Sequence, residues 1–384
     1  MTNKRKKIGL DARFYGPIGK GLGRYTKEVV DRVILDTTND YVVFLSSENF
    51  AEFDISKYPN VKKVLVKGRW YSIREQLELP YLIWRERIDL MHFMHFNVPV
   101  LAPTKFIVTI HDLILTKFPT LRATTLSPIF YWIKNIMYRV VIWLAIKRSK
   151  AVIAVSNFTK DDIEKQFSVK GDKVKMIYEG VAEVIKSVDE NAQNDDDKKI
   201  LLGYNIHSPY LLYVGNAYPH KNLEGLIRIF SKIGEKRLDL SLVLVGKLDY
   251  FYTQVKNFAE TNSSQAKIIF PGYVPDKDLV VFYRQAKAYV FSSLYEGFGL
   301  PPLEAMTQNC PVASSDKACM PEVLGEAAYY FNPENENEAS ERIEKLISDS
   351  ELQKQLIEKG QKQILKYSWE TCATEILKLY NRFI

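Results

Sequence analysis

The sequence predicts an α/β protein built from two doubly wound domains. Short runs of β-branched and aromatic residues alternate with helical patterns, and this alternation occurs twice along the 384 residues. Between the two series, after Gly180, residues 186–199 are polar, charged and aperiodic. Repeated strand and helix units favour parallel sheets covered by helices on both faces. We therefore expect two Rossmann-like halves that face a central cleft.

The individual elements follow in chain order. The first series predicts strands at residues 8–12, 41–45, 61–66, 106–110 and 151–155. The second series predicts strands at residues 210–214, 240–245, 267–270, 288–291 and 312–314, with helices that include residues 223–233 and 278–285. The predicted domains are therefore residues 1–185, a linker at 186–207, residues 208–367, and a C-terminal helix at 368–384 that crosses back to the first domain.

Composition limits the classes of partner. The chain has 53 Lys plus Arg against 46 Asp plus Glu, a formal charge of +7 that favours phosphates or lipid head groups. The basic residues are dispersed among acidic ones and no nucleic-acid-binding motif is present, so nucleic acid is not predicted as a partner. Three cysteines without metal-like spacing, and a basic start with no apolar stretch behind it, indicate a cytoplasmic protein.

Residues 128–150 combine aromatic, aliphatic and basic side chains. Lys134, Asn135 and Arg139 interrupt the segment well before bilayer length, so it is not predicted to span a membrane. Two interpretations stay open. The segment is a long core helix with a basic end, or it lies on an anionic membrane surface with its cations at the head groups, which would place the protein peripherally at the inner face of the membrane.

A glycine-rich turn, with Gly16, Gly19, Gly21 and Gly23, follows the first predicted strand. Glycines let backbone N–H groups approach a phosphate closely. The dinucleotide fingerprint fails because Arg24 stands where a third glycine should be, and no P-loop is present. A phosphate-contacting turn and a tight turn without a ligand both remain compatible with the pattern.

The most informative motif is E-G-F-G-L-P-P-L-E, which runs from Glu296 to Glu304. Pro301 and Pro302 exclude a helix through its middle, so we expect Glu296 in a loop and Glu304 in the first turn of a helix at residues 303–307. Both carboxylates would then edge one pocket while backbone N–H groups between them face an anion. Such a pocket suits a polyol that carries phosphate.

This motif resembles the E-x7-E motif of the retaining glycosyltransferase family 4 (group 1), whose members have the two-domain GT-B architecture. The resemblance extends along the chain through G-L-G-R-Y at 21–25, H-D-L at 111–113, A-V-S-N-F-T at 154–159, G-N-A-Y-P-H-K-N at 215–222 and G-Y-V-P at 272–275. The opening G-L-D-A-R-F and G-L-G-R-Y are similar to bacterial mannosyltransferase-like members that act in surface polysaccharide assembly.

The resemblance implies roles for individual residues. It implies catalytic-site roles for His111, Glu296 and Lys221, with Glu296 holding hydroxyls of the donor sugar and Lys221 the departing diphosphate. Further donor contacts are implied for Gly21, Gly23, Arg24, Gly215, Asn216, Val274, Phe298, Gly299, Leu300 and Glu304, of which Glu304 would bind the ribose and Val274 the base.

One implied role competes with a simpler explanation, and one departs from the family pattern. A lone histidine at the end of an apolar strand is usually structural, yet His111 coincides with the family's active-site histidine. Many relatives place an arginine shortly before the phosphate-binding lysine, whereas Asn216 and His220 occupy this stretch here. Arg24 or Lys247 would then supply the second phosphate-binding cation.

No metal or cofactor is predicted beyond the nucleotide diphosphate sugar, which is a substrate. His92 and His95 have a metal-like spacing but no third ligand, so we interpret them as structural. Asp276 and Asp278 match a D-x-D pattern, yet their position before a helical segment suits capping of that helix better.

The predicted function is metal-independent, retaining transfer of a hexose to a glycan or lipid-linked acceptor. Mannose from GDP-mannose is the favoured donor, and UDP-linked donors stay open. The family is thought to react on one face of the sugar, with the leaving phosphate oxygen helping to take the acceptor's proton. The alternatives are a non-catalytic glycosyltransferase-like binding subunit and another nucleotide-sugar enzyme of the same fold.

Overall fold

The computed structural model describes residues 5–17, 20–118, 128–169, 171–181, 194–207, 209–262 and 266–384. The chain divides into two compact units. The first comprises Met1–Lys117, Leu126–Gly180 and Ser368–Ile384, and the second comprises Phe118–Thr125 and Val181–Tyr367. Each unit contains one parallel sheet flanked by helices.

Seven strands form the sheet of the first unit, in the order β3-β2-β1-β4-β5-β6-β7. All neighbours are parallel. The strands are β1 (Lys7–Asp11), β2 (Asp40–Ser46), β3 (Val61–Val66), β4 (Leu90–Phe93), β5 (Lys105–Ile110), β6 (Ala151–Ala154) and β7 (Val174–Met176). The chain reverses its winding direction between β1 and β4, so the loops that follow these two strands border a crevice of the kind that binds ligands in doubly wound sheets.

Helices cover both faces of this sheet. The helices are α1 (Lys20–Val33), α2 (Ile73–Arg85), α3 (Ile114–Lys117), α4 (Pro128–Arg148), α5 (Asn157–Phe167) and α14 (Trp369–Phe383). One buried cluster joins apolar residues of α2, α4 and α5 to the sheet. A second cluster joins α1 and α14 to the opposite face. Among the described residues, no helix combines the length and the apolar character that crossing a bilayer requires.

The C-terminal helix α14 is part of the first unit. Ser368 caps its N-terminus by accepting a hydrogen bond from the Thr371 backbone N–H at 3.3 Å. Trp369 and Tyr380 are buried against the sheet. The Tyr380 hydroxyl lies 2.7 Å from Nδ1 of His92 in β4, which ties the last helix of the chain to the centre of the sheet.

The second unit has a six-stranded parallel sheet in the order β10-β9-β8-β11-β12-β13. The strands are β8 (Tyr210–Val214), β9 (Ser241–Val245), β10 (Lys267–Gly272), β11 (Ala288–Phe291), β12 (Val312–Ser315) and β13 (Ala328–Phe331). The helices are α6 (Asn194–Gly203), α7 (Leu223–Gly234), α8 (Tyr250–Asn262), α9 (Asp276–Gln285), α10 (Leu300–Thr307), α11 (Met320–Leu324), α12 (Glu336–Ser348) and α13 (Ser350–Ile364). Here β8 and β11 border the switch of winding direction.

The parallel α/β architecture predicted for both halves is confirmed, with differences in detail. Strands β4, β7 and β13 were not predicted. Part of the predicted linker is wrong, because α6 begins at Asn194 and its Asp197 accepts hydrogen bonds from Arg284 and Gln285 of the second unit. Residues 186–193 of that linker lie outside the described residues.

Gly180 is expected to admit no side chain. A Cβ atom there would collide with the backbone nitrogen of Trp369 and lie 2.6 Å from Cγ of its ring. Gly180→Ala should therefore displace α14 and destabilise the first unit by about 1–3 kcal/mol. All five tryptophans lie in this unit, so thermal unfolding followed by tryptophan fluorescence reports on it. Gly21→Ala is the control, because its Cβ would meet open space; equal melting temperatures for the two variants would contradict the tight packing.

Candidate functional site

Lys221 and Glu296 meet where β8 and β11 end. Lys221 closes the loop after β8, and Glu296 lies in the loop after β11, the neighbouring strand. The Lys221 ammonium donates to Oε1 of Glu296 at 2.5 Å, and the two side chains are only 14% and 10% exposed. Two residues predicted from separate motifs thus form one ion pair at the carboxyl edge of the sheet, beside its switch point.

Backbone hydrogen bonds hold these two loops together. The Leu294 N–H donates to the carbonyl of His220 at 2.8 Å, and the Ser292 hydroxyl donates to the carbonyl of Lys221 at 3.0 Å. The Lys221 ammonium also lies 5.7 Å from the centre of the Phe291 ring. Hydrogen bonds between the two loops therefore hold the ion pair in position, in addition to the attraction between its charges.

Glu304 points to a different partner. Helix α10 begins at Leu300, so Glu304 lies in its second turn and the prediction of a first-turn position is wrong. Pro301 and Pro302 fit within the first turn because the first N–H groups of a helix have no intrahelical acceptor to lose. Glu304 is 4% exposed and accepts a hydrogen bond from the Tyr283 hydroxyl at 3.0 Å. Sequence reasoning missed Tyr283.

Gly299 is the N-cap of α10 and adopts the left-handed conformation, with φ of 91°. A Cβ atom at this position would lie 2.5 Å from Cε of Met320. Both observations require glycine here. The neighbouring Phe298 ring is buried against Tyr367 at a centroid distance of 5.3 Å, and the Phe298 carbonyl accepts from the Cys319 thiol. The Phe298–Leu300 backbone is thereby held in a fixed course.

The loop after β8 also approaches its surroundings closely. A Cβ atom on Gly215 would lie 2.6 Å from the Tyr213 hydroxyl, which donates to the Asn216 carbonyl at 2.9 Å. His220 is buried, and this burial together with the charge of Lys221 lowers its pKa to about 4, so it is neutral near pH 7. A neutral imidazole cannot serve as a second phosphate-binding cation. Among the other predicted residues of this unit, Val274 is buried after β10 and Lys247 is exposed after β9.

In the first unit, His111 follows β5 and is held at both ring nitrogens. Nδ1 lies 3.0 Å from Oε1 of Glu179, and Nε2 lies 3.0 Å from the carbonyl oxygen of Met94. Because a carbonyl oxygen only accepts, Nε2 carries a proton, and the carboxylate favours a proton on Nδ1 as well. Burial opposes the charge, but the hydrogen bond and charge of Glu179 outweigh it and raise the pKa of His111. The ring is therefore anchored at both nitrogens, and its surroundings favour the protonated form.

The predicted glycine-rich turn is largely a helix. Gly21, Gly23 and Arg24 lie in the first turns of α1, and Gly19 lies outside the described residues. A Cβ atom on Gly23 would collide with the Gly16 carbonyl oxygen and lie 2.7 Å from that of Phe14. Gly23 therefore serves close packing of α1 on the preceding loop. Gly21 faces open space and leaves room for a ligand near the start of α1.

Two of the candidate metal-binding residues, His92 and Asp278, have hydrogen-bond partners within the fold. Burial and the nearby His111 lower the pKa of His92 to about 3, and its Nε2 lies 2.9 Å from the Thr109 hydroxyl. Asp276 is the first residue of α9 and Pro275 is the N-cap, so the predicted capping by an aspartate side chain is wrong. Asp278 accepts from the Tyr204 hydroxyl at 2.8 Å. Across the part of the chain that the structure describes, no three His, Cys, Asp or Glu residues group as a metal site would require.

The fold of this chain is shared with solved two-domain enzymes. The chain aligns with sucrose-phosphate synthase from Thermosynechococcus elongatus at a TM-score of 0.77, covering 98% of this chain and 99% of that one at 17% identity. At such low identity the likeness shows the fold alone, which is the GT-B fold.

Sequence comparison gives the family. The model described as "Glycosyltransferase Family 4" matches residues 20–183, and the model described as "Glycosyl transferases group 1" matches residues 192–363. The chain belongs to the group 1 glycosyltransferases, with a family 4 N-terminal domain, and the predicted family is confirmed.

Two bacterial relatives are similar over most of this chain. O-antigen chain mannosyltransferase B from Escherichia coli is 29% identical over 236 residues, which are 61% of this chain and 61% of that enzyme. O-antigen chain mannosyltransferase RfbU from Salmonella typhimurium is 29% identical over 270 residues, 70% of this chain and 67% of the relative. The alignments therefore span about two thirds of the length of these relatives.

We expect the pKa of His111 to lie above 6.5 and to fall in Glu179→Gln, because the variant loses the negative charge. Because the pKa is raised, the pairing of protonated His111 with Glu179 stabilises the folded state fully below pH 6.5. This contribution to stability is lost as pH rises through the folded-state pKa. Imidazole chemical shifts measure the pKa, and denaturant unfolding at several pH values measures stability. His220 is the internal control. An unchanged pKa of His111 in the variant would contradict the pairing.

Proposed function

We propose that this protein transfers a hexose from a nucleotide diphosphate sugar to a glycan or lipid-linked acceptor during surface polysaccharide synthesis, with retention at the anomeric carbon. The favoured donor is GDP-mannose, since the similar bacterial enzymes are named O-antigen mannosyltransferases. The Lys221–Glu296 pair is the observation that carries this proposal, because it holds a cation and a hydroxyl-binding carboxylate at one point of the switch crevice.

In this proposal each partner of the pair takes one part of the donor. Glu296 accepts hydrogen bonds from sugar hydroxyls, and Lys221 stabilises charge on the departing diphosphate without need of a divalent metal. Glu304 binds the ribose, and the backbone of Phe298–Leu300 adjoins the diphosphate. Gly215, Asn216 and Val274, together with Gly21, Gly23 and Arg24 of α1, complete the proposed donor contacts, with Arg24 or Lys247 as the second cation.

The proposed reaction occurs on one face of the sugar. The acceptor hydroxyl oxygen bonds to the anomeric carbon as the bond from that carbon to the phosphate oxygen breaks, and the acceptor proton passes to the leaving phosphate oxygen. Because both ring nitrogens of His111 are engaged, we assign this residue an electrostatic role rather than that of a general base. The protein's part is mainly positioning and charge stabilisation.

We place the reaction on the cytoplasmic side of the membrane. The three cysteines are unpaired and buried, as suits a reducing compartment. We also propose that segment 128–150 contacts an anionic membrane, where a lipid-linked acceptor would be found. Helix α4 supports this contact, since several of its large apolar side chains are exposed beside cations.

The donor is tested by incubating the protein with UDP-, GDP-, ADP- and dTDP-sugars in EDTA and measuring thermal shift and slow hydrolysis. We expect GDP-mannose alone to stabilise the protein and to be hydrolysed. Lys221→Ala and Glu296→Ala should each lower kcat/KM by about a hundredfold or more, because each removes a contact to the reacting groups.

Lys354→Ala and Glu351→Ala are matched controls, since both residues are exposed on α13 of the same unit and distant in sequence from the site loops. Binding of no nucleotide sugar, or activity that appears only with a divalent metal, would contradict the proposal. Product analysis by NMR must show retention; an inverted product would refute the one-face reaction.

A further inference from the structure

We propose that α2 and α4, with the turn at residues 100–101 between them in the chain, form one surface that binds an anionic lipid bilayer. This inference rests on the membrane contact proposed for segment 128–150 and adds a second helix and a turn to it. We call it the α2–α4 surface. Most of the large apolar side chains that are exposed in the described residues lie on these elements.

Helix α2 presents an exposed apolar stripe. The stripe consists of Ile73, Leu77, Tyr81 and Trp84, which are 83%, 67%, 55% and 68% exposed. Their spacing of four, four and three residues places them on one side of the helix. The opposite side packs Leu79 and Ile83 into the core, and there Glu75 is paired with the buried Arg13. The core therefore holds α2 with its apolar stripe turned to solvent.

Helix α4 has the same two-sided character. Ile142, Ala145 and Ile146 are buried in the core of the first unit. The exposed side carries large apolar residues at helical spacing, namely Trp132, Ile133, Ile136, Met137, Val140 and Trp143. The core-helix interpretation of this segment is thus partly right, because one side of the helix belongs to the core, and the exposed apolar side supports the proposed membrane contact. Soluble proteins seldom expose so large a contiguous apolar area unless it is a binding surface.

Direct contacts join the elements. The Lys134 ammonium of α4 lies 5.8 Å from the ring centre of Tyr71, which immediately precedes α2. Gln76 of α2 accepts from the Val100 N–H at 2.9 Å. Arg148 at the end of α4 donates to the carbonyl of Ala102 at 3.0 Å and to that of Val100. Leu101 is 73% exposed in this turn, so the apolar area continues from one helix to the other.

The charge of the surface selects an anionic partner. Helix α4 contains no acidic residue and carries the cations Lys134, Arg139, Lys147 and Arg148, all exposed. The acidic residues of α2 are engaged: Glu75 is buried, and Glu78 accepts from Arg74 and from the Lys67 N–H. Long basic side chains can reach lipid phosphates while apolar neighbours enter the acyl boundary.

The aromatic residues favour a bilayer over a protein partner or a second copy of this chain. Three of the five tryptophans lie on the α2–α4 surface together with Tyr81, and the exposed Tyr71 borders it. Tryptophan and tyrosine concentrate at membrane interfaces, where an apolar ring and a polar edge are both accommodated. Combined with the cations, this composition matches a helix pair lying in the head-group region.

Flotation with lipid vesicles tests the inference. Wild-type protein should float with phosphatidylcholine vesicles that contain about one third phosphatidylglycerol, an anionic lipid, and not with pure phosphatidylcholine vesicles. Salt should weaken the binding. An α2 variant, Leu77→Gln with Trp84→Gln, and an α4 variant, Ile136→Gln with Trp143→Gln, should each bind about tenfold or more weakly. The α2 variant is decisive, because it leaves segment 128–150 unchanged.

The control variant is Leu238→Gln with Leu365→Gln, since these leucines are 74% and 82% exposed in the second unit. It should float like the wild type, and circular dichroism should show all variants folded. Wild-type binding by the α2 variant, equal binding to neutral vesicles, or self-association of the wild type that the variants abolish would each overturn the inference. Donor hydrolysis without vesicles should persist in the surface variants, whereas Lys221→Ala should lose hydrolysis but still float. The failure of the proposed transferase function can therefore be distinguished from the failure of the proposed membrane binding.

Discussion

The ion pair between Lys221 and Glu296 is the interaction on which the proposed donor site depends. Each partner is nearly buried, so neither would be stable there alone, and removal of one partner of a buried pair typically costs about 3–5 kcal/mol. The remaining exposure of 14% and 10% reduces that cost but leaves the pair accessible to a ligand. A donor that offers hydroxyls to the carboxylate and phosphate to the ammonium can use both charges at once.

The rest of the second unit supports this pair. Parallel pairing of β8 with β11 brings the two loops together, and the bonds from Ser292 and Leu294 fix their separation. Gly299 in the left-handed conformation then turns the chain into α10, which carries Glu304 toward Tyr283. The two carboxylates of the motif are thus held by different partners, an ammonium and a phenol, which suits them to different parts of one substrate.

In the first unit, polar groups form a buried network behind His111. The Tyr25 hydroxyl lies 3.0 Å from that of Thr109, which contacts His92, which in turn contacts Tyr380 of α14. The Tyr25 ring also meets the His111 ring edge-on at 4.6 Å. The C-terminal helix therefore contributes to the position of His111 as well as to the core.

Much of the fold follows from the sequence because the long apolar strands and the two series of βα units are local signals. The strands that were missed are short or contain a polar residue. Strand β7 has only three residues, and β4 contains His92. The motif residues Lys221 and Glu296 were predicted, but their direct pairing was not, since 75 residues separate them. Glu179 is 68 residues from His111 and belongs to no motif. The exposed stripe of α2 could not be told from a buried stripe by spacing alone.

Calorimetric binding of GDP and GDP-mannose to the wild type, Lys221→Met, Glu296→Gln and the double variant tests the central claim most directly. We expect Lys221→Met to weaken both ligands about tenfold or more, because both carry the diphosphate. Glu296→Gln should weaken only GDP-mannose, since GDP has no sugar for the carboxylate to hold. The double variant is the control for an unpaired buried charge, because it removes both charges of the pair. Equal weakening of GDP and GDP-mannose by Glu296→Gln, or unchanged binding in every variant, would contradict the division of the donor between these two residues.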